Sequence, residues 1–117
     1  MRALARVLVD RAASVPVAVL DGEIDASNVA EVSAELRAVV DNRANGLVVD
    51  LTQTSYLDSA GINLLFALGD ELRTRQQTLR LVVAPASSIA RMPSITSLDR
   101  AHPTYATTAE ALAGEPS

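Results

Sequence analysis

Apolar residues fall into short unbroken runs that are separated by segments with helical spacing, which is typical of a chain mixing strands and helices. We interpret four runs as strands: Arg6–Asp10 and residues 15–20, 47–51 and 79–84. A short turn joins the first two, and Pro16 is tolerated near a strand start because its missing N–H costs little there. Asp21-Gly22 is expected to end the second strand.

Two longer segments predict amphipathic helices. The first covers residues 28–42, with cap candidates in 26–28 and apolar positions at Val29, Val32, Leu36, Val39 and Val40. The second covers residues 60–75, with an inner face of Ile62, Leu65, Phe66, Gly69 and Leu72. Towards the end we expect a short helix from Pro85 that Pro93 stops, an edge strand over 102–105 and a closing helix over 107–113.

The order of these elements predicts the fold class. An initial hairpin followed by strand–helix–strand alternation implies an α/β fold with a mixed sheet and right-handed crossovers. We expect the 117 residues to form one domain, because this length suffices for a single core. Its core is expected over about 6–113, with a frayed tail at 114–117.

Composition narrows the classes of function. Apolar residues make up 49% of the chain but aromatic residues only 3%, so the core must consist of Val, Leu, Ile and Ala. There is no cysteine, which excludes disulfides and thiol catalysis. Net charge is −4 and the ten basic residues, all arginine, are spread along the chain, which argues against nucleic-acid binding. No apolar run has bilayer length and the N-terminus lacks a secretory apolar region, so we expect a cytoplasmic protein without direct membrane insertion.

The most informative chemistry follows the apolar run 47–51. After a polar loop, Asp58-Ser59-Ala60-Gly61 opens the second predicted helix. Ser59 is therefore expected at a helix N-terminus, where free N–H groups and the helix dipole favour negative charge. The residues alone leave two interpretations open: an ordinary N-cap serine, or a position that tolerates a phosphate.

A second motif, Gly22-Glu23-Ile24-Asp25, lies upstream, one helix and one strand away. Together the two motifs resemble the STAS domain family of bacterial anti-sigma factor antagonists, and the likeness extends from about Val7 to Ala113. The resemblance implies a STAS fold, a mixed four- to five-stranded β-sheet with helices packed on one face. It also implies that Ser59 is the phosphoacceptor.

The same resemblance implies a partner-binding surface around Ser59. Its expected members are Asp25, Asp58, Ser59, Ala60, Gly61, Ile62 and Asn63. Small residues at 60 and 61 leave room for a kinase, or they simply suit a tight turn into the helix. Asn63 stands where relatives often carry glycine. Asp58 and Asp25 have an alternative role, as caps of the second and first helices.

The function implied is that of an anti-sigma factor antagonist. The unphosphorylated form binds an anti-sigma factor with serine-kinase activity and frees a sigma factor; phosphorylation of Ser59 reverses this, and a phosphatase resets it. ATP belongs to the partner, so we expect no catalytic residue, cofactor or metal in this chain. Two alternatives stay open: a STAS subunit of a membrane transport complex of the lipid ABC type, or a module that senses a small ligand or nucleotide.

An esterase-like site is not favoured. His102 is the only histidine, and a lone histidine before proline is typical of a surface residue. A triad of Ser59, Asp58 and His102 would need a nucleophile elbow, but this turn lacks the first glycine of Gly-x-Ser-x-Gly. The sequence also has no Gly-rich phosphate loop and no cluster with metal-ligand spacing.

Overall fold

A computed structural model describes residues 6–10, 15–40 and 45–113. The strands in these ranges are β1 Arg6–Asp10, β2 Val17–Ile24, β3 Gly46–Asp50, β4 Thr54–Leu57, β5 Thr78–Val82 and β6 Thr104–Tyr105. The helices are α1 Val29–Val39, α2 Ser59–Thr74, α3 Met92–Ile95, α4 Leu98–Ala101 and α5 Thr108–Ala113. None of the helices in these ranges is long and apolar enough to cross a membrane.

The strands form one mixed sheet in the order β1-β2-β3-β5-β6, with β4 paired to β2 beside this path. β1 is antiparallel to β2, whereas the remaining pairs are parallel. Parallel neighbours need crossover connections, which α1 and α2 supply. The predicted α/β class and mixed sheet are therefore confirmed. The sheet has six strands rather than the four or five expected.

β2 does not end at Asp21-Gly22 as predicted but continues to Ile24. Gly22 has a φ of 119°, a left-handed conformation that glycine adopts without steric cost. The register with β4 shifts between Gly22 and Glu23, which marks a bulge. This bulge lets one strand pair first with β3 and then with β4.

The segment that we expected to be a polar loop after β3 contains β4. Its residues Thr54 and Ser55 carry no apolar signal, and the strand is held by pairing with β2. The buried Thr54 hydroxyl donates to Leu20 O at 2.7 Å. Asp50 turns the chain between the two strands, because its Oδ1 accepts from Thr52 N at 2.8 Å.

The core lies on both faces of the sheet. The larger cluster packs α1 and α2 against one face, and its fully buried members include Leu20, Leu36, Leu47, Leu65, Leu68 and Leu81. A smaller cluster joins Val15, Val17, Val48 and Val82 to Ala111 of α5. Because side chains alternate along a strand, this second cluster lies on the opposite face. The expectation that all helices pack on one face is wrong for α5. The central parallel strands carry apolar side chains on both faces, so each face must be buried by other elements.

Several predicted boundaries also move. α1 ends at Val39, because Val40 has extended backbone, and the rest of its predicted length falls in 41–44, outside the described residues. The turn over 11–14 and the expected tail at 114–117 lie outside them as well. Pro93 does not stop a helix but lies in the first turn of α3, where a missing N–H leaves no hydrogen bond unmade.

Candidate functional site

Asp58, rather than Ser59, is the N-cap of α2. Its backbone is extended, and its Oδ1 accepts a hydrogen bond from Gly61 N at 3.1 Å. This bond satisfies one of the free donors in the first helical turn. The sequence-based alternative that Ser59 caps the helix is wrong, and the alternative that Asp58 does so is confirmed.

Ser59 is the first helical residue of α2, and its side chain is exposed. Its hydroxyl has no hydrogen-bond partner among the residues that the structure describes. Asp58, and not Ser59, accepts the hydrogen bond from the first turn of α2. The hydroxyl is thus presented to solvent at the positive end of a helix of 16 residues.

The turn between β2 and α1 is organised by Asn28, which is buried. Its side-chain oxygen accepts from Asp25 N at 3.0 Å, and its amide nitrogen donates to Glu23 O at 2.7 Å. Asn28 occupies the N-cap position of α1 without making a side-chain cap bond to that helix. The sequence suggested Asn28 only as a cap candidate, and its position five residues after Glu23 carries no recognisable signal.

Asp25 shapes the same turn. Its Oδ1 accepts from Ser27 N at 2.9 Å and from Ser27 Oγ at 2.6 Å, an arrangement that is typical of aspartate-stabilised turns. The alternative that Asp25 is the N-cap of α1 is therefore wrong, because Asn28 holds that position. The carboxylate remains partly exposed, so a role towards a partner stays open.

The two motif turns lie side by side. Asp58 Oδ2 accepts from Ala26 N at 3.2 Å, and Asp58 N donates to Ile24 O at 3.2 Å. These bonds place the Asp25 turn next to Ser59 although the two are more than 30 residues apart in sequence. The arrangement places the turn that contains Asp25 beside Asp58, the residue before Ser59.

The remaining predicted members divide by burial. Gly61 is buried, and a Cβ there would lie 2.5 Å from Leu57 Cδ1 and 3.1 Å from Ile24 Cγ2. A larger residue at position 61 would therefore force the Leu57 side chain to move where α2 approaches the ends of β2 and β4. Ala60 and Ile62 are half-buried and Asn63 is exposed. Space for a partner therefore exists over Ser59 and Asn63, whereas Gly61 has a packing role.

His102 lies elsewhere and is buried, with 4% of its surface exposed. It packs against Gly69 of α2, ten residues after Ser59 and thus about 15 Å along the helix. Its Nε2 has no hydrogen-bond partner among the described residues, and desolvation, aided by the charge of Arg73, lowers its pKa. The prediction of a surface histidine is wrong, and no triad with Ser59 and Asp58 forms.

Similarity to known proteins agrees with this geometry. The family model of the STAS domain matches residues 6–111. A crystal structure of an anti-sigma factor antagonist from Mycobacterium paratuberculosis superposes with a TM-score of 0.84, at 29% identity and over 97% of both chains.

Two sequence relatives come from Mycobacterium tuberculosis. Osmosensory protein A is 37% identical over 70 residues, which are 60% of this chain and 44% of the relative. The anti-sigma-F factor antagonist RsfB is 29% identical over 96 residues, 81% of this chain and 76% of the relative. The chain therefore matches less than half of the length of the first relative and about three quarters of the second.

Proposed function

The chain belongs to the STAS domain family, and on this premise we propose that it acts as an anti-sigma factor antagonist controlled by phosphorylation of Ser59. In the unphosphorylated form it binds an anti-sigma factor with serine-kinase activity, and that factor then releases its sigma factor. The same partner phosphorylates Ser59, the complex weakens, and the sigma factor is inhibited again. A separate phosphatase restores the binding form.

The main support for this proposal is that the neighbouring residues Asp58 and Ser59 have different roles. Asp58 caps α2 with its side chain, so Ser59 is not needed for helix stability. The serine hydroxyl is exposed and has no hydrogen-bond partner among the described residues. A residue that serves only as a cap would make the opposite arrangement, with its oxygen bound to the helix N–H groups.

Phosphate at this position changes the surface rather than the fold. It adds about −1.5 to −2 charges and three acceptor oxygens, and the N-terminus of α2 tolerates negative charge. The neighbouring carboxylates of Asp25 and Asp58 already give this surface a negative character. A partner surface built to fit the neutral hydroxyl then faces a desolvated charge, which is costly in an interface.

In the transfer step, Ser59 Oγ forms a bond to the γ-phosphorus of ATP held by the partner, and the bond between that phosphorus and the ADP oxygen breaks. The hydroxyl proton leaves to a base on the partner. ATP and Mg²⁺ are supplied by the kinase. In this proposal the chain is substrate and binding protein rather than enzyme.

Phosphorylation by the purified anti-sigma serine kinases of the host, with ATP and Mg²⁺, tests the proposal. Intact mass spectrometry should give a single added phosphate, absent from Ser59→Ala. Thr74→Ala is the matched control, since Thr74 is also an exposed hydroxyl residue but lies at the opposite end of α2; it should be phosphorylated like wild type. Equal phosphorylation of Ser59→Ala would disprove the assignment.

A further inference from the structure

A surface groove of about 510 Å³ lies beside the Ser59 turn. One wall is formed by β4 and the start of α2, with Tyr56, Leu57 and Ile62. The other wall and the floor come from the segment 88–96, with Ile89, Met92 and Ile95. The two walls are tied together where Ser88 Oγ donates to Ser55 O at 3.2 Å.

Two large apolar side chains of this groove are exposed. Tyr56 on one wall is 51% exposed, and Ile95 on the other is 74% exposed. The neighbouring Ile89 and Met92 of the same groove are buried and belong to the core cluster, whereas Tyr56 and Ile95 do not. Exposed aromatic and aliphatic side chains around a concave apolar floor are typical of a protein-binding surface.

The groove is continuous with the Ser59 turn. β4 runs directly into the cap residue Asp58, and Ile62 lies about one helical turn after Ser59. A stable interface buries roughly 800 Å² on each partner, far more than one serine and one turn provide. A protein that covers the Ser59 hydroxyl therefore needs further contact area, and this groove adjoins the turn.

The charges beside the groove differ between its walls. The Ser59 wall ends at Asp58, whose carboxylate also accepts from Ala26 N in the turn that contains the acidic Asp25. The opposite wall carries Arg91, which is exposed and takes part in none of the ion pairs among the described residues. An occupant of complementary chemistry has apolar residues in the middle, a basic group towards Asp25 and a carboxylate towards Arg91.

We propose that this groove is a second contact area for the anti-sigma kinase that binds Ser59, and that it receives an apolar segment of that partner with these flanking charges. The inference rests on the proposed function and deepens it. Phosphate on Ser59 alters the turn but leaves the groove unchanged. The groove thus supplies affinity in both phosphorylation states, and Ser59 supplies the difference between them.

Binding titrations with the purified anti-sigma serine kinase test this division. Tyr56→Ala and Ile95→Ser should each raise the Kd about fivefold or more, as expected for apolar anchors of an interface. Arg91→Glu should raise it too, and the increase should shrink at high salt. Leu8→Ser is the matched control: Leu8 is 50% exposed but lies on the edge strand β1 and does not line the groove. The Kd of this variant should stay within about twofold of wild type.

The same titrations repeated in the Ser59→Asp background should again show a raised Kd for Tyr56→Ala and Ile95→Ser, because the groove side chains are unchanged there. If the wild type binds the kinase and both Tyr56→Ala and Ile95→Ser have the same Kd as wild type, the groove is not a contact area, but the proposed function is unaffected. Absence of wild-type binding to every such kinase would overturn both. A groove effect confined to the unphosphorylated form would overturn the division between affinity and switching.

Discussion

Asp58 and Ala26 are joined by a hydrogen bond from Ala26 N to Asp58 Oδ2 at 3.2 Å, while the other oxygen of the same carboxylate accepts from Gly61 N at 3.1 Å. One side chain thus holds the start of α2 and the upstream turn together. The two motifs that first pointed to a function form a single structural unit around Ser59. The position of Ser59 depends on its neighbour Asp58.

Asp58→Ala should therefore destabilise the fold, whereas Ser59→Ala should not. Loss of the N-cap costs about 1 kcal/mol, and the bond to Ala26 N is lost as well. Ser59 is exposed, so its removal should change the free energy of unfolding by less than about 0.5 kcal/mol. Urea denaturation of both variants measures the two changes in the free energy of unfolding. A larger decrease for Ser59→Ala than for Asp58→Ala would show that Asp58 is not the residue that caps α2.

Asn28→Ala should be more damaging than its position in a turn suggests. The buried amide satisfies Asp25 N and Glu23 O, and leaving buried polar groups unpaired costs about 1–3 kcal/mol. Ser27→Ala, at an exposed neighbour, serves as the comparison and should cost less. Thermal melting measures both, and equal melting temperatures would show that Asn28 does not organise the turn.

Asp25→Ala should reduce partner binding more than stability. The carboxylate accepts two hydrogen bonds from the exposed Ser27, and Asn28 holds the turn by separate bonds. We expect the Kd for the anti-sigma kinase to rise about tenfold, which is 1.4 kcal/mol. A lower melting temperature with unchanged affinity would remove Asp25 from the interface.

His102 should make stability fall in mildly acidic solution. Burial against Gly69 lowers its pKa below the ordinary 6.5, so the folded state keeps the imidazole neutral while the unfolded state takes up a proton. The stability that depends on the neutral form is complete above about pH 6.5 and is lost as the pH falls below it. The slope is at most about 1.4 kcal/mol per pH unit for one proton.

His102→Gln removes this titration, and His102 is the only histidine. The free energy of unfolding of the variant should be nearly flat between about pH 5.5 and 7, where carboxylates stay ionised. The wild-type slope should disappear even if the substitution lowers stability overall. An identical slope in both proteins would show that another group is responsible.

Elements with strong local patterns were predicted well. Apolar periodicity or an unbroken apolar run predicts α1, α2, β3 and β5, and the structure confirms the bounds of each to within a few residues. β4 was missed because Thr54 and Ser55 look like loop residues, and the strand exists through pairing with the distant β2. The local sequence of β4 does not indicate that it pairs with β2.

The site was predictable in outline and not in atomic roles. The motifs located the Ser59 turn, but Asp58 and Ser59 are both favoured N-cap residues, and only the backbone decides which of them begins the helix. The burial of His102 could not be predicted from its local sequence, because it depends on the space left by Gly69, 33 positions earlier in the sequence. The position of α5 on the second face likewise follows from packing between distant segments.

The most direct test of the central claim compares the affinity of one purified anti-sigma serine kinase for the unphosphorylated and the fully Ser59-phosphorylated protein. Phosphate in the desolvated interface should raise the Kd at least about a hundredfold, or 2.7 kcal/mol. Ser59→Asp should raise it in the same direction without lowering the melting temperature, since α2 tolerates a negative charge at its first residue. Equal affinity of both forms for the kinase would contradict the account.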